Sequence, residues 1–130
     1  MTKLKIDLDS QEIFLGLLDT LLCRGYFEYQ QYLKLGKKLL YAIKIKENNS
    51  CIVNLILNND HLFQEDQRSD LLIIVYHIDS WRTQWDFLYE NSHPKLEDEF
   101  VFETTIKFPK NSLERLDKYY YKNFNKKFSD

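Results

Sequence analysis

At 130 residues the chain is the size of a single domain (1–130), long enough to bury about two-thirds of the surface that its unfolded form would expose. Hydrophobic residues at 44% and charged residues at 29% exclude a disordered chain, and only three glycines weigh against a many-hairpin barrel. The net charge of −2 is spread unevenly: residues 1–59 are net +2, residues 60–103, with eleven acidic and three basic side chains, are net −8, and residues 104–130 are net +4. The acidic middle is ill suited to a phosphate backbone and well suited to a basic partner.

The first residues lack the apolar core of a signal peptide, and no run reaches the roughly 18 apolar residues of a membrane span. Cys23 and Cys51 are not at metal-ligand spacing. They read as reduced core thiols, Cys23 in a helix and Cys51 in a strand, of a cytoplasmic protein.

In chain order, Lys3 to Leu8 alternates like a short edge strand. Asp9 or Ser10 then suits an N-cap, with Glu12 placed for a capping box. Ile13, Phe14, Leu17, Leu18, Leu21 and Leu22 repeat at helical spacing, and Gly25 suits the position past the end. A helix is therefore predicted over Ser10–Arg24. A second, over Phe27–Lys46, carries an apolar stripe from Tyr29 to Ile43 with lysines largely off it. The short connection predicts an antiparallel hairpin. Gly16 and Gly36 inside these helices mark either close approach of the two or simple tolerance.

Cys51–Leu57 follows a turn cluster, and its Ile and Val content favours a strand over a short helix. A polar loop is expected from Asn58 to Asp70. Leu71–Ile78 is the longest apolar run, broken only by His77, and it suits a strand buried on both faces. Ser80 would cap a short helix with Trp81, Trp85, Leu88 and Tyr89 on one side. The same residues also fit one continuous helix from Asp70 to Glu90. The strand is preferred because Leu71 to Tyr76 is apolar all round. Phe100–Phe108 alternates as a half-buried strand that Pro109 stops. Asn111 or Ser112 caps a last helix with Leu113, Leu116, Tyr120 and Phe124 inward. The resulting expectation is an α+β fold, a helical hairpin and a C-terminal helix on a small sheet, with an all-α fold as the alternative.

Four chemistries can be read from these residues. His77 and Asp79 would share one face of a strand and act as an acid–base pair or as two metal ligands. Two groups are too few for a structural metal site, and a histidine bonded to its neighbour explains them as well. No Gly-rich phosphate loop is present, and no context selects a nucleophile, so neither a cofactor nor an enzyme class is implied. The C-terminal stretch Lys118–Phe128 interleaves lysines with aromatics, as single-strand binders do, with Lys122, Lys126 and Lys127 the phosphate contacts. An amphipathic helix accounts for most of it.

The acidic, aromatic middle is the best candidate. Asp79, Trp81, Trp85, Asp86, Tyr89 and Glu90 lie close in sequence, and Glu97, Asp98 and Glu99 follow. Aromatics anchor interfaces and carboxylates steer basic partners. A small acidic domain rich in aromatics and without catalytic motifs resembles immunity proteins in profile, though not in motif. That resemblance implies a non-catalytic, antitoxin-type inhibitor of a basic, nuclease-like toxin.

Overall fold

The computed structural model describes residues 7–102 and 108–129. Four α-helices follow in order: α1 (Leu8–Lys34), α2 (Leu39–Asn59), α3 (Glu65–Ser92) and α4 (Lys110–Phe124), with one 3-10 turn at Asp60–Leu62. No strand is found among the described residues, whose one β-type contact is an isolated bridge between Lys38 and Glu99. Among the described residues the fold is all-α, and the expected sheet is not formed. Cys51–Leu57 lies inside α2 and Leu71–Ile78 inside α3. The third expected strand, Phe100–Phe108, falls partly on residues 103–107, outside the described residues. So does the whole of the proposed edge strand except Asp7 and Leu8, the latter already helical.

Asp7 caps α1, one turn earlier than predicted: its carboxylate accepts from the Ser10 backbone N–H at 3.1 Å and the Ser10 hydroxyl at 2.6 Å. The helix then runs through Gly25 to Lys34, so the two predicted helices Ser10–Arg24 and Phe27–Lys46 are redivided. The real turn is at Leu35–Lys38, where Gly36 takes a φ of +88° that favours glycine. Gly25 serves close approach instead. A Cβ there would lie 2.9 Å from Nδ2 of Asn48, which donates to the Leu21 carbonyl from a fully buried site on α2. A Cβ on Gly16 would meet the Tyr120 hydroxyl of α4 at an ordinary 3.8 Å.

The core has two parts. One gathers Phe14, Leu15 and Leu18 of α1, Ile52, Val53 and Ile56 of α2, Leu71 to Ile78 of α3, and Leu116 and Tyr120 of α4. The other joins Tyr32, Leu39, Ala42 and Ile45 to Trp81, Trp85 and Phe100. Polar side chains pin the first. Fully buried Gln11 donates to the Leu62 carbonyl at 2.8 Å and accepts from the Tyr119 hydroxyl at 2.6 Å. Asp70 on α3 accepts three bonds from the forked guanidinium of Arg115 on α4 at 2.8–3.1 Å.

The second part is closed by the segment after α3. The carbonyls of Leu96 and Asp98 accept from the backbone N–H groups of Leu40 and Leu39 at 3.1 and 2.9 Å. They satisfy donors at the N-terminus of α2, whose N-cap Lys38 offers no side-chain bond. The Phe100 N–H returns to the Lys37 carbonyl at 2.8 Å, and the Tyr32 hydroxyl donates to the Phe100 carbonyl at 2.5 Å. Cys23 is half-buried and Cys51 exposed, both free, so the reading of two core thiols is corrected for Cys51. No described helix is long and apolar enough to cross a membrane.

The two helical glycines should respond oppositely to alanine. Gly16→Ala gains helix propensity without a clash and should stabilise by up to about 1 kcal/mol. Gly25→Ala must displace buried Asn48 from its bond and should destabilise by roughly 1 kcal/mol net. Urea unfolding of both variants measures this. Burial pushes the Tyr32 phenol up to about 12, partly opposed by the Phe102 backbone. Its neutral form therefore contributes stability that is intact below about pH 10 and is lost as pH rises toward about 12. Denaturation across that range should show a loss that Tyr32→Phe removes.

Candidate functional site

The acidic and aromatic residues singled out from sequence fall mostly on α3. Glu65 and Asp66 in its first turn suit the positive end of the helix dipole. His93, left-handed at φ 46°, ends the helix. At about 100° per residue, 28 residues define two long faces some 42 Å in length. The inner face holds Leu71, Ile74, Val75, Ile78, Trp81 and Trp85, all buried. The outer face alternates apolar and acidic side chains: Leu72, Tyr76, Asp79, Thr83, Asp86, Phe87 and Glu90. Tyr76 is 74% exposed and Phe87 69%, values that make them surface groups and not core groups.

This geometry splits the expected site. Trp81 and Trp85 are core residues, not surface anchors. The Trp81 ring meets Phe102 edge-on at 5.3 Å. Trp85 stacks on Tyr89 at 5.5 Å and packs on Phe100 at 4.7 Å. Tyr89 is 43% exposed and remains available at the margin of the outer face. Asp79, Asp86 and Glu90 do share one face. Asp79 is held by Arg82 at 3.1 Å, Asp86 by Lys46 of α2, and Glu90 has no cation within ion-pair distance among the described residues.

Glu97, Asp98 and Glu99 sit elsewhere, beside the N-terminus of α2. Glu97 pairs with Lys38 at 3.2 Å, Asp98 accepts from the Lys95 backbone N–H at 2.8 Å, and Glu99 forms the bridge to Lys38. The Asp98 carboxylate closes the turn, and the run as a whole lies beside the positive end of a helix.

Sequence reasoning missed Tyr76, Phe87, Leu72 and Ile73. The signal was present in the alternative of one continuous helix from Asp70 to Glu90. Once the inward positions of that helix are assigned, these four are left facing out.

The His77–Asp79 pair does not survive the change from strand to helix. Two residues apart on a helix, the side chains diverge by about 200°. The His77 ring packs edge-on against Phe108 at 5.4 Å, and its Nδ1 is buried without a hydrogen-bond partner. No group of three candidate metal ligands occurs among the described residues. The C-terminal aromatics are largely spent on packing. Tyr119 bonds Gln11, and Tyr120 packs against Phe124 and Phe128, which leaves Tyr121 exposed beside Lys127. Lys126 pairs with Glu12 at 3.4 Å.

Comparison with protein-family models, curated proteins and solved structures finds no match.

Burial holds the His77 imidazole below its ordinary value of 6.5. The neutral ring is the form the fold accommodates, so its contribution to stability is complete above about pH 6.5 and is lost as pH falls through the lower folded-state value. Imidazole NMR should show His77 titrating below that reference. His77→Phe should remove the matching part of the acid sensitivity in urea unfolding.

Proposed function

We propose that this chain is a non-catalytic protein-binding module that docks a basic partner along the outer face of α3. The observation that carries the reading is the alternation of strongly exposed Tyr76 and Phe87 with Asp79, Asp86 and Glu90 on one rigid helical face. Large aromatic side chains supply most of the energy of an interface when they fill pockets on a partner. Carboxylates around them speed the encounter with a cationic surface and reject acidic competitors. The helix carries six acidic and two basic residues, a net charge of −4 that fits this division of labour.

The existing ion pairs do not obstruct it. Asp79–Arg82 and Asp86–Lys46 are partly exposed, and such pairs are worth about 0–1 kcal/mol, so a partner's arginine or lysine can displace or join them. In its most concrete form the module is an immunity-type inhibitor of a basic, nuclease-like toxin. A surface that replaces phosphate charge in such an active site must be acidic, firmly shaped and free of reactive groups, and α3 offers the first two.

The test has two stages. Affinity capture from the source cells supplies a retained protein, which is then purified and titrated against the wild type and two variants. Tyr76→Ala with Phe87→Ala should weaken the complex at least thirtyfold, about 2 kcal/mol, chiefly through faster dissociation. Asp79→Lys with Asp86→Lys and Glu90→Lys should slow association and flatten its dependence on salt. Circular dichroism confirms that the variants are folded. A retained protein whose binding ignores both variants, or one that is acidic, overturns the reading.

A further inference from the structure

On the inner side of α3, away from the proposed docking face, the two parts of the core do not meet. A half-open cleft of about 800 Å³ lies between them, walled by all four helices and by Phe102 and Phe108. Protein interiors rarely keep voids larger than a water molecule, whereas pockets for small ligands run from about 300 to 1,000 Å³. This cleft belongs to the second class.

Among the described residues that line the cleft, none carries a formal charge. Its walls are rich in rings: Tyr26 and Tyr29 from α1, Trp81 from α3, and Phe108. Two polar groups face them, His77 and Asn49. Asn48, the neighbour of Asn49, is committed to the Leu21 carbonyl, but the amide of Asn49 makes no hydrogen bond among the described residues. Nδ1 of His77 likewise has no hydrogen-bond partner among the described residues. Among the described residues nothing would compensate a charged ligand stripped of water here. A flat, apolar molecule would stack on the rings and bury the walls, and one donor or acceptor on it would meet Asn49.

We propose that this cleft binds an uncharged, ring-containing apolar small molecule, stacked among Tyr26, Tyr29, Trp81 and Phe108 and oriented by a hydrogen bond to Asn49. It is a ligand site separate from the outer face of α3, and it does not depend on the protein-binding reading. The cleft exists because α4, at 15 residues, spans little more than half the length of α3, at 28. Beyond the start of α4, the fourth position of the bundle is taken by the segment through Phe100 and Phe102, and the opening lies at this change of partner.

The probe is N-phenyl-1-naphthylamine, an uncharged three-ring arylamine that fluoresces on leaving water, added to the full chain. Saturable enhancement at one site per chain is expected, with energy transfer from tryptophan. Leu22→Trp and Leu113→Trp each fill the cleft from a half-buried position, and either should weaken binding at least tenfold while helical circular dichroism is kept. Asn49→Ala should weaken it severalfold. Tyr76→Ser with Phe87→Ser, on the opposite face, should leave it unchanged. Absence of saturable binding, binding that survives both filling variants, or binding lost with the Tyr76 and Phe87 variant overturns the proposal.

Discussion

Leu71, Ile74, Val75 and Ile78 must leave water together, and a helix places all four on one face. The other helices are arranged to cover that face. Leu15, Leu18, Ile56 and Leu116 come from three different helices, and each is completely buried in the same cluster. At about 25 cal/mol per Å² of apolar surface removed from water, a few such residues outweigh every surface ion pair in the molecule. The polar contacts then choose among ways of packing. The forked Arg115–Asp70 pair fixes where α4 lies on α3, and Gln11 fixes α1 against α4 and the Asp60–Leu62 turn. Both polar residues are well satisfied, as their burial requires.

The second half of the bundle is held differently. Its fourth side is an irregular segment, and its adhesion comes from backbone groups meeting a helix end. Carbonyls of Leu96 and Asp98 complete the N-terminus of α2, and Phe100 follows them into a nest of aromatic rings with Trp85 and Tyr32. Helix ends leave donors unpaired, and here another part of the chain supplies the acceptors. The acidic run Glu97–Glu99 finds its place in this way. It looked like part of a binding surface when read as composition alone. In the structure it closes a turn over the positive end of α2, with one carboxylate tied to Lys38 and another to the backbone of Lys95.

The hydrophobic positions were legible in the sequence, and their geometry was only partly so. The stripe of α1 read only in part: Phe14 and Leu18 are buried, but Ile13 and Leu17 are exposed, and buried Leu15 was not counted in it. The inward residues of α4 read correctly from their spacing. Leu71–Ile78 did not, because Leu72, Ile73 and Tyr76 are apolar and yet exposed. An apolar residue on the outer face removes the polar–apolar contrast by which a helix is told from a buried strand. Cys51–Leu57 failed for the same reason: Leu57 is exposed and Ile52, Val53 and Ile56 are buried, so the run looks uniform. Gly25 misled in another way. A glycine after a helical stripe reads as a stop, but here its missing Cβ admits Asn48. Nothing local to Gly25 reveals that a side chain distant in sequence needs the space.

The features that defeated the strand reading give α3 its two surfaces. Uniform apolarity leaves the helix with more hydrophobic surface than its neighbours cover, and the surplus appears on the outer face among carboxylates. Lys46 sets how strongly those carboxylates act. Its ammonium lies 4.5 Å from the centre of the Trp85 ring and also bonds Asp86, so a charge held by the aromatic core neutralises one acid of the outer face. Arg82 does the same for Asp79. Glu90, at the far end of the stripe beside Phe87, has no such offset among the described residues. Asp79 and Asp86 are therefore paired, whereas Glu65 and Asp66 at one end of α3 and Glu90 at the other have no ion-pair partner among the described residues. On the proposed reading, a cationic partner drawn in by the ends would meet Tyr76 and Phe87 between them.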